Sequence, residues 1–165
     1  MAPDALTGEI LSTVKEGDRA PNFSAKIDSG KEVRLSDFKN RKVILYFYPK
    51  DDTPGCIKEA CSFRDDIRTL ASKGAVVIGV SPDSTESHRK FKKKHGLNFS
   101  LLSDPGKEIC KSYGVWKKKS FMGREFMGVE RTTFIISEKG VIDKIFHKVN
   151  PVGHSKEILE FLGSP

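Results

Sequence analysis

The most nucleophilic side chain available to this 165-residue sequence is that of cysteine, which occurs at positions 56, 61 and 110. Cys56 follows Pro49–Gly55, a polar segment in which proline and glycine interrupt the chain. If Cys56 begins a helix, unpaired backbone N–H groups and the positive end of the helix dipole favour its thiolate. The thiolate is the reactive form of cysteine, so Cys56 is the leading candidate for a nucleophile.

A lowered thiol pKa is not sufficient for efficient chemistry at Cys56. Lowering the pKa from about 8.5 to about 6 raises the thiolate fraction at pH 7 from about 3% to about 90%. Part of that gain is lost because nucleophilicity falls with the pKa. Efficient chemistry therefore requires groups that hold the substrate and stabilise charge on the leaving atom.

Several residues could supply such groups. The hydroxyl of Thr53 can hydrogen-bond the sulfur and a substrate oxygen, and the N–H groups of Gly55 and Cys56 can form an anion nest. Arg131, at the start of a predicted core strand, is the best candidate for a nearby cation. Glu59 lies one helical turn after Cys56 and could orient that arginine, although a solvated helical glutamate is the alternative interpretation.

The spacing between Cys56 and Cys61 predicts a conformational change. Five residues of helix give a rise of about 7.5 Å and a rotation of about 140°, which separates the two Cα atoms by about 8 to 9 Å. A disulfide needs Cα atoms about 4.4 to 6.8 Å apart. A bond between Cys56 and Cys61 therefore requires the helix between them to unwind.

Other uses of these cysteines are disfavoured. The chain lacks the Cys-x-x-Cys pair of a general disulfide reductase. The four histidines form no zinc-ligand spacing with the cysteines, so no metal is expected. Cys110 lies in a short predicted helix, where we expect a buried, unreactive thiol with no catalytic role.

The composition indicates a soluble globular protein without nucleic-acid or membrane partners. The formal net charge is +7, and the basic residues cluster at Arg89–Lys90 and Lys92–Lys94 on a predicted helix and at Lys117–Lys119 in a predicted loop. No nucleic-acid-binding signature accompanies them, which favours a solvated surface. No window is apolar enough to span a bilayer, and Met1–Leu6 lacks the features of a secretory signal, so a cytoplasmic location is expected.

The pattern of apolar residues predicts one α/β domain over residues 1–165. The runs 43–48 and 75–81 are buried strands joined by a helix over 56–72, which gives parallel pairing with a right-handed crossover. Further predicted elements are a short strand pair around Asp28–Lys31, a helical turn at Ser36–Phe38, a helix from Ser84 to His95 ended by Gly96, a hairpin of 132–136 with 141–146, and a C-terminal amphipathic helix. Together they predict a central mixed β-sheet flanked by helices.

Three short motifs carry a family resemblance. Tyr46-Phe47-Tyr48-Pro49, Thr53-Pro54-Gly55-Cys56 and Lys58-Glu59-Ala60-Cys61 together resemble the active-site stretch of the peroxiredoxins, in the bacterioferritin comigratory protein or peroxiredoxin Q branch. The order of elements is similar from about Gly17 to Leu162. The resemblance implies a thioredoxin-like fold and reduction of hydrogen peroxide and organic hydroperoxides. It also implies recycling by thioredoxin or a glutaredoxin-like dithiol donor.

The resemblance also implies roles for particular residues. Cys56 resembles the peroxidatic cysteine and Cys61 the resolving cysteine of an atypical two-cysteine peroxiredoxin. Thr53 matches the hydroxyl donor, Pro49 the residue that shields the pocket, and Arg131 the family arginine. Ile57 departs from the threonine expected after the peroxidatic cysteine. No cofactor is implied, and the chain is expected to be a monomer.

A redox-switch sensor, or a chaperone-like binding protein that uses the same cysteine pair, is the alternative function. A sensor would oxidise once and stop. A peroxidase would consume peroxide continuously in the presence of a reductant.

Overall fold

The structure, a computed structural model, describes residues 14–163. Within that range the strands are β1 Ser24–Lys26, β2 Glu32–Arg34, β3 Lys42–Phe47, β4 Ala75–Ser81, β5 Ser100–Ser103, β6 Trp116–Phe121, β7 Arg124–Val129, β8 Thr132–Ile136 and β9 Ile142–Phe146. The helices are α1 Pro54–Ser72, α2 Thr85–His95, α3 Glu108–Ser112 and α4 His154–Leu162, with a 3-10 turn at Leu35–Phe38.

The central sheet has five strands in the order β5-β4-β3-β8-β9. Strand β3 pairs in parallel with β4, and β4 in parallel with β5, whereas β8 and β9 are antiparallel to their neighbours. This arrangement confirms the predicted mixed sheet and the predicted parallel unit formed by β3, α1 and β4. It places the end of β3, and the loop that follows it, in the middle of the sheet.

Strand β3 is buried because its alternate residues contact two different hydrophobic cores. Its odd-numbered residues pack with those of α3 and the β1–β2 hairpin, and its even-numbered residues pack with those of α1, α2 and α4. The unbroken apolar run predicted from the sequence is the expected pattern for such a strand. The long helices therefore lie on one face of the sheet, and the short helix α3 lies on the other.

The predicted helix and turn signals are present in the structure. The hydroxyl of Ser84 accepts a hydrogen bond from the backbone N–H of Ser87 at 3.1 Å, which caps the start of α2. Gly96 ends α2 in the left-handed conformation, with φ of 62°. Strands β8 and β9 form the predicted antiparallel hairpin.

The prediction of a loop at Lys117–Lys119 was wrong. These residues lie in β6, which pairs with β7 in a separate two-stranded sheet. The turn between the strands uses Met122 and Gly123, with φ of 52° and 79°. Positive φ at both central positions is the requirement for a tight hairpin turn, but Met-Gly is a weaker sequence signal than Asn-Gly. Both strands are largely exposed, so their sequences lack the alternation of apolar and polar residues that predicts a half-buried strand.

Two predictions about the whole chain are not tested by the described residues. A single domain over residues 1–165 stays a prediction, and Met1–Leu6 lies outside the described residues. Among residues 14–163, no helix combines the length and the apolar character needed to cross a bilayer.

Candidate active site

Cys56 lies in the first turn of α1, at the carboxyl end of the central strand. Thr53 is extended, with φ of −103° and ψ of 153°, and Pro54 takes the first helical position. Proline suits that position because its fixed φ is helical and it lacks an N–H that would have no partner there. The first helical bond, from the N–H of Ile57 to the carbonyl of Thr53 at 2.8 Å, closes the turn around Cys56. The Cys56 side chain is buried.

The predicted cation is present beside the sulfur. Nη2 of Arg131 donates to Sγ of Cys56 at 3.4 Å. Arg131 immediately precedes β8, which is paired with β3, so the sheet topology brings these residues together across 75 positions of sequence. Burial opposes the charge of Arg131, but Glu59 and Cys56 more than offset this effect and raise the pKa of the guanidinium. Arg131 is therefore a permanent positive charge next to the thiol.

Glu59 orients Arg131, which settles the alternative of a solvated glutamate. Its side chain is completely buried, and Oε1 accepts a hydrogen bond from Nη1 of Arg131 at 2.6 Å. Its Oε2 has no hydrogen-bond partner among residues 14–163. Burial raises the pKa of Glu59 to about 7, although Arg131 opposes this rise. The protein environment of this carboxyl group thus favours its neutral form, compared with the same group in water.

Gly55 has a role that sequence reasoning missed. A Cβ atom at position 55 would lie 3.1 Å from Nη2 of Arg131 and 3.5 Å from Cγ of Pro151. The missing side chain therefore lets the guanidinium lie across the start of α1. The sequence showed a glycine beside a reactive cysteine, but only the packing of Arg131 shows why a side chain would interfere.

The predicted contact between Thr53 and the sulfur is not present. The Thr53 hydroxyl donates instead to the backbone carbonyl of Lys50 at 2.9 Å. Because the hydrogen is used in this bond, the oxygen of Thr53 remains available as an acceptor. Pro49 lies half-buried between β3 and this loop, and its shielding role stays a prediction.

Cys61 lies in the same continuous helix as Cys56 and is half-buried. All three cysteines are thiols. An intact helix holds residues five apart too far from each other for a disulfide. The structure therefore corresponds to a conformation in which Cys56 and Cys61 cannot react with each other.

Cys110 is completely buried, in agreement with its predicted place in the core. Burial, together with the nearby carboxylate of Asp104, raises the pKa of its thiol far above the ordinary value. A buried thiol of this kind is unreactive.

A buried polar network beneath the loop between β3 and α1 was not predicted. Nδ1 of His88 lies 2.7 Å from Oδ2 of Asp51, its Nε2 lies 3.0 Å from the Leu102 carbonyl oxygen, and Tyr48 donates to Oδ1 of Asp51 at 2.6 Å. Ligand-type atoms of Asp51, Asp83 and His88 lie within 4.8 Å of one another. Because these atoms already hydrogen-bond within the protein, we interpret the group as a hydrogen-bond network. In the sequence, only the spacing of His88 and Phe91 on one face of α2 could have indicated that His88 is buried.

Comparison with known proteins identifies the group to which the chain is similar. The sequence pattern of the AhpC/TSA family matches residues 16–145. Peroxiredoxin Bcp of Bacillus subtilis is 48% identical over 150 residues, which cover 91% of this chain and 96% of that protein.

Solved structures agree with the sequence comparison. A cysteine-to-serine mutant of PrxQ from Xylella fastidiosa superposes with a TM-score of 0.87 at 35% identity, over 92% of this chain and 96% of that one. The bacterioferritin comigratory protein of Xanthomonas campestris, described with an alkyl peroxide reduction activity, gives a TM-score of 0.81 at 34% identity, over 85% and 89% of the two chains. These matches confirm the predicted thioredoxin-like fold.

Proposed function

The chain belongs to the AhpC/TSA family of peroxiredoxins, in its bacterioferritin comigratory protein branch, and on this premise we propose that Cys56 reduces hydroperoxides and Cys61 resolves the product. A peroxiredoxin is a peroxidase, and it implies a peroxide substrate and a thiol reductant. One observation carries the proposed mechanism. The buried sulfur of Cys56, at a helix N-terminus, lies 3.4 Å from an arginine that a buried glutamate holds in place.

In the first step the Cys56 thiolate attacks the nearer oxygen of ROOH. An S–O bond forms, the O–O bond breaks, and the leaving RO⁻ takes a proton to become ROH, which leaves Cys56 as sulfenic acid. Arg131 has N–H groups beyond the two that bind Cys56 and Glu59, and these can stabilise charge on the leaving oxygen. Because the Thr53 hydroxyl donates to Lys50, its oxygen would accept a hydrogen bond from the hydroperoxide O–H.

In the second step the start of α1 unwinds and the Cys61 thiol attacks the sulfenic sulfur. An S–S bond forms between Cys56 and Cys61, and water leaves with the sulfenic oxygen. An external dithiol then reduces this disulfide and becomes a disulfide itself, so that each cycle consumes one hydroperoxide and one dithiol. The local unwinding follows from the helical spacing of the two cysteines.

Substrates and partners extend the proposal beyond the site. Hydrogen peroxide and organic hydroperoxides are the proposed substrates, and the alkyl peroxide reduction activity of the Xanthomonas campestris relative supports the second class. Thioredoxin or a glutaredoxin-like protein is the proposed reductant. We also propose that the protein acts in the cytoplasm as a monomer without a cofactor, and that Pro49 shields the pocket.

Mass spectrometry after one equivalent of hydrogen peroxide tests the mechanism. The reduced chain is treated, its remaining thiols are alkylated, and its peptides are mapped. We expect Cys56 and Cys61 to lose their labels together while Cys110 remains labelled. Thioredoxin, its reductase and NADPH should then support continuous peroxide consumption.

Three variants provide the controls. Cys56→Ser should abolish turnover, Cys61→Ser should allow one turnover that ends in sulfenic acid or mixed disulfides, and Cys110→Ser should behave like the wild type. Steady thioredoxin-supported turnover by Cys61→Ser would contradict the resolving role. A wild type that oxidises once and resists every dithiol donor would indicate the sensor function instead.

A further inference from the structure

The part of the chain that contains both reactive cysteines lies between two sets of anchors. Downstream of Cys61, the hydroxyl of Ser62 hydrogen-bonds that of Ser155 in α4. Asp66 accepts hydrogen bonds from Ser155 at 2.7 Å and from Lys156 at 3.0 Å. These bonds attach α1 to α4 from Ser62 onward.

The upstream anchor is the buried pair of Asp51 and His88. The carboxylate of Asp51 accepts hydrogen bonds from the hydroxyls of Tyr48 and Ser87, at 2.6 and 2.8 Å, and faces Nδ1 of His88. The other ring nitrogen of His88 faces the carbonyl oxygen of Leu102, which can only accept. The side chains of Asp51 and His88 are therefore joined by a buried hydrogen bond, and both ring nitrogens and both carboxyl oxygens of the pair have partners.

The backbone of Asp51 is fixed as well. Its N–H donates to Oδ2 of Asp83 at 2.8 Å, in the connection between β4 and α2. The next residue, Asp52, also contacts α2, through Lys94 at 2.8 Å and His95 at 2.9 Å, but this ion pair is on the surface. Two adjacent aspartates thus attach the same loop to the same helix, one in the core and one in solvent.

We propose that the Asp51–His88 pair is a positioning element that sets the upstream limit of local unwinding, so that oxidation releases the chain between Thr53 and Cys61 and leaves the loop before it in place. This inference rests on the proposed disulfide between Cys56 and Cys61. Neither Asp51 nor His88 touches the reacting sulfur. They act by holding the end of the loop from which α1 begins.

The anchor would govern the competition between two fates of the Cys56 sulfenic acid. In the folded conformation a second hydroperoxide can add its oxygen, giving sulfinic acid and an alcohol or water. In the unwound conformation Cys61 captures the sulfur and water leaves. Because the upstream anchor limits how many residues can unwind, it limits the chain entropy that the unwound conformation gains. The folded conformation therefore stays more populated, and capture by Cys61 is slower.

His88→Gln tests this role because it keeps a hydrogen-bonding side chain but cannot reproduce the ring contacts with both Asp51 and the Leu102 carbonyl. Reduced wild type and variant are exposed to increasing hydrogen peroxide, alkylated, and assayed by intact mass for disulfide and sulfinic acid. We expect the peroxide concentration that gives half sulfinic acid to rise roughly threefold to tenfold in His88→Gln, because loosening favours capture by Cys61. Asp51→Ala with His88→Leu removes both partners of the buried pair and should give a shift in the same direction if His88→Gln folds poorly.

Two controls separate positioning from general destabilisation. Asp52→Asn alters the exposed ion pair on the same loop, and asparagine tolerates the left-handed backbone at this position (φ 60°). The midpoint, which is the peroxide concentration that gives half sulfinic acid, should therefore stay that of the wild type. Asp104→Asn removes a buried carboxylate that binds the N–H groups of Ile109 and Cys110 in α3, far along the chain, and should also leave the midpoint unchanged.

Equal midpoints for wild type and His88→Gln, with the disulfide formed in both, would overturn the positioning role. An equal shift of the midpoint in Asp104→Asn would show that the shift in His88→Gln reflects general destabilisation of the fold. Failure of the wild type to form the Cys56–Cys61 disulfide is a different result, which would refute the proposed function itself.

Discussion

Two buried polar clusters contact the same stretch of chain, residues 51–59, and they differ in how completely their hydrogen bonds are satisfied. Around Asp51 and His88, each buried side-chain polar atom has a partner. Around Cys56, Oε2 of Glu59 and the hydroxyl of Tyr46 have none within the described part of the chain. The fully satisfied cluster holds a loop in place. In the cluster around Cys56, we propose that Arg131 uses its N–H groups beyond those bound to Cys56 and Glu59 to bind the reacting molecule.

The difference has an electrostatic basis. Buried polar groups without partners are costly, and native proteins retain few of them. Burial raises the pKa of Tyr46 well above its ordinary value, with Glu59 and Cys56 adding to the effect. The cluster around Cys56 thus concentrates groups whose charged forms are disfavoured around one arginine whose charge is retained. Such a site suits a reaction in which negative charge moves from sulfur to oxygen.

Disrupting the satisfied cluster should have the largest effect on stability. Asp51→Asn leaves the buried His88 without its carboxylate partner, which we expect to lower the free energy of unfolding by about 3 to 5 kcal/mol. Urea unfolding followed by circular dichroism measures this change. In the same assay Asp52→Asn should leave the midpoint unchanged. Equal midpoints for Asp51→Asn and the wild type would show that the cluster does not stabilise the fold.

Disrupting the unsatisfied cluster should affect the reaction more than the fold. Arg131→Met removes the cation beside Sγ, and we expect the second-order rate constant with hydrogen peroxide to fall about 10²- to 10³-fold. Stopped-flow measurement of Cys56 oxidation provides this constant. Arg124→Met, on the exposed hairpin, is the matched control and should retain the wild-type rate. A tenfold or smaller loss in Arg131→Met would assign the rate enhancement to other groups.

The raised pKa of Glu59 predicts a stability that depends on pH. The folded state holds the proton of Glu59 up to about pH 7, whereas the unfolded chain releases it near the ordinary value of 4.5. The contribution of this proton to the stability of the folded state is therefore complete below about pH 4.5, and it is lost as the pH rises to about 7. Relative to Glu59→Gln, the wild type should lose up to about 3 kcal/mol of unfolding free energy across this window. Parallel pH profiles for the two proteins would contradict the assignment.

The smallest change tests the fit of Arg131 over the helix. Gly55→Ala places a methyl group 3.1 Å from Nη2 of Arg131, so the guanidinium must shift by a few tenths of an ångström. We expect a loss of about tenfold in the peroxide rate constant while the helix gains up to about 1 kcal/mol from alanine's helix propensity. A lower peroxide rate constant together with a higher melting temperature would show that the methyl group disturbs Arg131 and not the helix. Gly106→Ala, where the new Cβ meets only ordinary contacts near 3.7 Å, should leave the rate unchanged.

Local features of the fold were predictable because they depend on near neighbours in the chain. The cap at Ser84 and the glycine that ends α2 follow from residue types within one turn. The helix predicted over 56–72 is present and begins two residues earlier, at Pro54. The buried β3 and β4 followed from runs of apolar residues. The hairpin of β6 and β7 was missed because its strands are exposed and its turn has an uncommon composition.

The candidate site was predictable where a motif brought its residues close in sequence. Cys56, Thr53 and Cys61 came from spacing, and Arg131 came from its position at the start of a core strand. The hydrogen bond predicted between the Thr53 hydroxyl and the sulfur is not formed, because this hydroxyl donates to a backbone carbonyl. Composition carries no information about such a choice. The contact of this hydroxyl with a substrate oxygen stays a prediction.

The sequence alone determined that the proposed nucleophile, Cys56, lies at the start of a helix. It also determined that Cys61 cannot reach Cys56 unless that helix unwinds, because helix geometry depends only on spacing. Only the tertiary structure decided that Glu59 is buried against Arg131 and that Asp51 is paired with His88. Those pairs join residues 72 and 37 positions apart. Their contacts depend on which strands are neighbours in the sheet and on which helix face is covered, and the burial that shifts the pKa of Glu59 exists only once those elements have packed together.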